Sequence, residues 1–113
     1  MEEDLKKQIR QALFLRTSGI MSEIPPDEQF AMLGLARQEF YNGVTDFAVF
    51  DPEATEKRYE DEKRTVIIPY KTIPRKVWVK LDDYGSVEAV EEASGLKGLS
   101  SRFVITMMFP EEY

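Results

Sequence analysis

The sequence predicts an α+β fold in which two N-terminal helices pack on one face of a mainly antiparallel sheet of about four strands. Three observations lead there. Residues 3–41 repeat apolar side chains at helical spacing, and residues 44–109 change to alternation with a period of two. The 113 residues suit one core-forming unit, so residues 1–113 are read as a single domain. Apolar residues make up 42% of the chain and charged residues 32%, a globular rather than disordered composition.

The first helix is expected over residues 3–18. Leu5, Ile9, Ala12, Leu13 and Arg16 follow the i, i+4, i+7, i+8 rhythm, Phe14 and Leu15 widen the stripe, and Gly19 serves as the stop. A second helix over 26–41 has the stronger signals. Pro26 suits the first helical position, Asp27 and Glu28 sit beside the unsatisfied amides of the first turn, and Asn42-Gly43 ends it. Gly34 inside it either permits a close helix contact or is merely tolerated, at about 1 kcal/mol relative to alanine. With a short connector at residues 19–25, the two helices are expected as an antiparallel hairpin.

Alternation then predicts strands at 44–50, 64–70, 76–81 and 102–109. In the third of these, Val77, Val79 and Leu81 face one way and Lys76, Trp78 and Lys80 the other. Between the first two lies the densely charged segment 51–64, expected to be flexible, with Ala54 and Tyr59 as its apolar handles. Residues 86–94 have two readings, a helix capped by Ser86 and stopped by Gly95, or a return strand. The helix is preferred because Glu88, Ala89, Glu91, Glu92 and Ala93 are weak strand formers. Residues 110–113 are expected as a frayed tail.

Cysteine and histidine are absent. This excludes disulfides, a thiol nucleophile, imidazole acid–base catalysis and the usual zinc and haem ligands, so neither cofactor nor metal is expected. Asp82-Asp83-Tyr84-Gly85-Ser86 lacks the alternating oxygens of a calcium loop. Gly95-Leu96-Lys97-Gly98 has the glycine spacing of a backbone clamp but no room for the following helix. No phosphate-binding loop, serine elbow or Ser-x-x-Lys pair occurs, and the chain is read as non-enzymatic. The acidic start lacks the pattern of a secretory leader, and no run approaches a membrane span, so the cytoplasm is expected and a membrane partner is not.

Charge is segregated along the chain. Residues 17–56 carry one cation and eight acids, while residues 57–80 carry eight cations and three acids. The simplest consequence is that the blocks meet after folding; the sharper one is a basic face for a partner. The basic block interleaves Arg64, Lys71, Arg75, Lys76 and Lys80 with Tyr59, Tyr70 and Trp78, and these eight residues are the candidate binding set. Arginine and aromatic anchors among charges are what protein interfaces use, so a protein-binding or regulatory module is the leading expectation. The alternatives are an acidic inhibitor, immunity or antitoxin-type protein docking on a basic partner, a single-stranded nucleic-acid binder, and a small enzyme. Association between copies stays open.

Overall fold

One mixed sheet of six strands organises the chain. The computed structural model describes residues 2–113. In chain order these form α1 (Glu2–Arg10), β1 (Leu13–Arg16), α2 (Ser18–Glu23), α3 (Pro26–Phe40), β2 (Phe47–Asp51), β3 (Arg58–Glu60), β4 (Thr65–Pro69), β5 (Val77–Asp83), α4 (Val87–Ser94) and β6 (Phe103–Met108), then a 3-10 turn at Pro110–Glu112. Across the sheet the order is β1-β6-β5-β2-β4-β3. The pairings β1–β6 and β2–β4 are parallel, and β6–β5, β5–β2 and β4–β3 are antiparallel.

Strand alternation sorts the core. Ala48, Phe50, Val66, Ile68, Val77, Val79, Phe103, Ile105 and Met107 point to one face. There they pack with Ile9 of α1, Ile20 of α2 and Met32, Leu33, Ala36 and Phe40 of α3. This is the helix-covered sheet foreseen in the sequence. Gln29, only 1% exposed, is satisfied inside that layer: its amide donates to the carbonyls of Ile20 and Ile24 and its Oε1 accepts from Arg16.

Two expectations need correction. The helix expected over 3–18 stops at Arg10, and residues 13–16 are extended. Leu13, Phe14 and Leu15 are three consecutive bulky residues, which a helix would spread around its circumference; a strand sends Phe14 to the core and Leu13 and Leu15 to the other face. Gly19 therefore ends no helix and lies inside α2. The helix hairpin is replaced by α1, a strand, and the pair α2 and α3. The sheet also has six strands rather than four, because β1 and the three-residue β3 join it at the edges.

Other elements fall where capping chemistry put them. Ser86 accepts from Ala89 N–H at 3.1 Å, and Gly95 closes α4 with φ at 77°, so residues 86–94 take the helical reading. The expected tail at 110–113 contains the 3-10 turn, and Glu112 ties it down. Its carboxylate accepts from Thr17 Oγ1 at 2.6 Å, Gly19 N–H at 3.0 Å and Phe109 N–H at 2.9 Å. A Cβ at residue 19 would stand 2.6 Å from that carboxylate, so the clasp requires glycine there.

Three expected outcomes follow from this geometry. Nothing lies within 4 Å of a Cβ built at Gly34, which is exposed, so Gly34→Ala is expected to raise stability by about 1 kcal/mol in urea titration. The β3–β4 turn holds Asp61, Glu62 and Lys63 at φ values of 52°, 54° and 72°. Left-handed backbone costs a side-chain-bearing residue about 1–2 kcal/mol, and glycine's greater unfolded freedom returns part of this, so Glu62→Gly should stabilise by roughly 0.5–1 kcal/mol. The Glu112 carboxyl is held below the ordinary carboxylate range, chiefly by the Thr17 hydroxyl and then by Phe109 N–H. A depressed folded value means stabilisation that is present above the unfolded value and lost as pH falls through the folded one. Melting temperatures taken on the acid side of the carboxylate range should thus fall more for wild type than for Glu112→Gln.

Candidate functional site

Three helices cover one face of the sheet, and the opposite face receives only partial cover. At one end, the loop from β2 to β3 crosses β4 and buries Ala54 against Val49 and Ile67. At the other, α4 lays Val90 and Ala93 over Leu13, Leu15 and Val104. Between these covers a cross-strand row of Phe47, Lys80 and Thr106 remains, ending at Leu15 under the margin of α4, with Trp78 one row along between Val49 and Met108. An aromatic surface with Lys80 at its rim is thus exposed on a small globular domain.

The aromatic side chains on this strip are arranged edge to face. Trp78 meets Phe47 with ring centroids 5.2 Å apart at 77°, and meets Tyr113 at 5.9 Å and 68°. Phe47, Trp78, Lys80 and Tyr113 line a hollow of about 280 Å³. Tyr113 is carried there by the Glu112 clasp and stays 76% exposed, so it rests on Trp78 without sealing it. Lys80 Nζ stands 5.6 Å from the Tyr113 ring centroid and 3.2 Å from the Asp82 carboxylate, which raises its pKa, mainly through the hydrogen bond to Asp82.

The candidate residues do not share one surface. Trp78 and Lys80 come together on the open strip. Tyr70 belongs to the helix-covered core, edge-on to Phe50 at 5.7 Å, and burial followed by the neighbouring Glu28 pushes its hydroxyl up to about 12. Tyr59 donates to Glu39 at the end of α3, and Lys57 joins the same carboxylate at 3.0 Å. Arg75 lies 3.7 Å from the Phe109 ring centroid while pairing with Glu23 at 2.6 Å and Glu111 at 2.7 Å. Lys71 donates to the carbonyls of Pro52 and Ala54, and Arg64 pairs with Asp46 at 2.9 Å. Lys76 is exposed at the rim of a hollow it shares with Pro52, Pro74 and Pro110.

The charge blocks of the sequence therefore meet one another. Lys57, Arg64 and Arg75 of the basic segment each reach an acid from outside it. All four ion pairs are at least partly exposed, where such pairs contribute little to stability, so their effect is to neutralise and to position. Sequence reasoning missed Phe47, Thr106 and Tyr113 as members of the strip. Strand alternation places Phe47 on the face of Val49, whereas nothing local signals that Tyr113 reaches Trp78.

Other hollows are less suited to a ligand. One of about 270 Å³ at the open end of the sheet, under α1, has its charged lining matched by the Arg102–Asp83 pair at 3.1 Å and by Asp46 with Arg64. Among the described residues no group of three or more acids is placed to hold a metal ion, and no helix is long and apolar enough to cross a membrane. The chain finds no significant match to a protein-family model, to a curated protein or to a solved structure.

Proposed function

We propose that the chain is a non-enzymatic protein-binding module that docks an apolar segment of a partner protein onto the Phe47–Trp78–Tyr113 strip. The observation that carries this is the partly exposed aromatic strip on a sheet face whose two ends are both covered. A partly buried tryptophan framed by aromatic rings, with ammonium and carboxylate groups at the rim, is the composition of an interface anchor. Nucleic acid is the poorer fit. Phosphates need free cations, whereas Lys57, Arg58, Arg64, Arg75 and Lys80 are ion-paired within the chain, whose formal charge is −6. The same pairs engage Glu23, Glu39, Asp46 and Glu111, which reduces the acidic surface that an inhibitor of a basic partner would present.

Trp78 is the only tryptophan and reports on its own site. Acrylamide is expected to quench it partially in wild type and more fully in Tyr113→Ala, which removes the overlying ring. Affinity capture from the native cell should yield a protein that binds wild type, and Trp78→Ala should weaken that complex by about 2 kcal/mol or more. Single-stranded oligonucleotides should leave Trp78 emission unchanged at physiological salt. A captured partner that binds Trp78→Ala and Tyr113→Ala as tightly as wild type would overturn the assignment, as would saturable quenching by oligonucleotide alone. Matched melting curves keep loss of fold apart from loss of binding.

A further inference from the structure

The two edges of the sheet are unlike. Edge strand β3 is three residues long, carries Arg58 and Glu60, and leads into the left-handed turn at residues 61–63, features that discourage pairing with another chain. Edge strand β1 is also short, at four residues, but it is mainly apolar, carries the single charge of Arg16 and leads into no left-handed turn. Thr17 N–H donates to Met107 C=O at 3.2 Å, and with the parallel register Arg16↔Met107 this fixes which backbone groups face inward. Those of Leu13 and Leu15 turn toward β6. The N–H and C=O of Phe14 and Arg16 point out of the edge and meet no partner among the described residues.

We infer that β1 pairs antiparallel with β1 of a second copy of this chain about a two-fold axis, with Leu15 facing Leu15. In this register Phe14 of one copy lies opposite Arg16 of the other, and both residues have outward backbone groups. Four inter-chain hydrogen bonds then satisfy every outward donor and acceptor of the strand. The side chains agree with the backbone. Leu15, 42% exposed on the open face, comes against its own mate at the closest type of strand pair. On the helix-covered side, Arg16 already lies 5.1 Å from the Phe14 ring centroid and 5.7 Å from that of Phe30, which is 55% exposed. Pairing puts a second Arg16 opposite each Phe14 and extends that cation–aromatic stack across the axis.

Neighbouring registers fail on the same criteria. A shift of two in one direction sets Arg16 directly opposite Arg16, like charge on like charge. The opposite shift sets Arg16 against Ala12, whose N–H is already given to Ile9 C=O at 3.2 Å. Only the register centred on Leu15 uses all four groups and confronts no like charges. Four residues a side make a small interface, so the association is concentration-dependent rather than obligate. It is independent of the Trp78 partner site, and either can fail without the other.

The chain has no cysteine, so a single introduced thiol reports on the register. In a non-hydrogen-bonded antiparallel pair the Cα atoms are about 4.5 Å apart, within the span of a disulfide. Leu15→Cys should therefore oxidise to a covalent dimer much faster than Leu96→Cys, a control that is 46% exposed but lies off the sheet. Sedimentation of the wild type should show monomer passing to dimer as concentration rises, and Leu15→Lys should lose the dimer while still melting cooperatively as a folded monomer. Hydrogen exchange on the unmodified chain gives a readout that needs no variant: amide protection at Phe14 and Arg16 should increase with concentration, while that at Leu13 and Leu15 stays constant. Equal cross-linking rates for the two cysteine variants, a dimer that survives Leu15→Lys, or concentration-independent exchange at Phe14 and Arg16 would each overturn the inference.

Discussion

A sheet of six strands has two faces to remove from water, and the helices of this chain are distributed unequally between them. α1, α2 and α3 all go to one face, where Phe50, Val79, Ile105 and Met107 become fully buried. The other face must manage with a crossing loop and the eight residues of α4. Apolar area left in water forgoes roughly 25 cal/mol for each Å² that could have been covered, so large side chains there weigh against the stability of the isolated chain. Phe47, Trp78 and Tyr113 soften that cost by packing edge to face on one another. The candidate site, the role of the C-terminal turn and the exposure of Leu15 all follow from this imbalance of cover.

Charge plays a different part from the one its segregation along the chain invites. The acidic and basic blocks act as fasteners between loops that carry little apolar surface. Arg75 ties the segment after β4 to the end of α2 and to the C-terminal turn, and Glu39 ties β3 to α3. Glu112 works in the same way through hydrogen bonds, and it determines where the neighbouring Tyr113 ring can lie. Opposite charges in sequence blocks thus become contacts between distant segments, leaving the open strip mainly apolar.

Legibility in the sequence tracked the range of the interactions involved. α3 and α4 could be placed because Pro26, Ser86 and Gly95 act on backbone groups within one turn of themselves. β5 could be placed because it alternates cleanly, and β4 and β6 because each is a short apolar run rich in β-branched or aromatic residues. Residues 13–16 misled because Leu13, Phe14 and Leu15 satisfy a broad helical stripe as well as a two-sided strand, and the choice rests on β6, some ninety residues later. β3 has no apolar alternation at all and exists through its pairing with β4. At the candidate site, Trp78 and Lys80 were legible as one face of one strand, whereas Arg75, Tyr59 and Tyr70 were drawn elsewhere by Glu23, Glu39 and Phe50, partners that no local pattern reveals.

The parallel pairing of β1 with β6 also has a temporal consequence. Leu13 registers with Val104 and Thr17 bonds Glu112, so β1 cannot reach its place until the residues through 112 have left the ribosome. Until then Leu13, Phe14 and Leu15 form an apolar stretch without its strand partner, next to a helix that has no sheet to lie on. Closing a loop of that length is entropically more costly than closing the shorter loops elsewhere in the sheet. The antiparallel pairing of β5 with β6 spans 20 to 30 residues where that of β1 with β6 spans about ninety, so it closes the shorter and entropically cheaper loop.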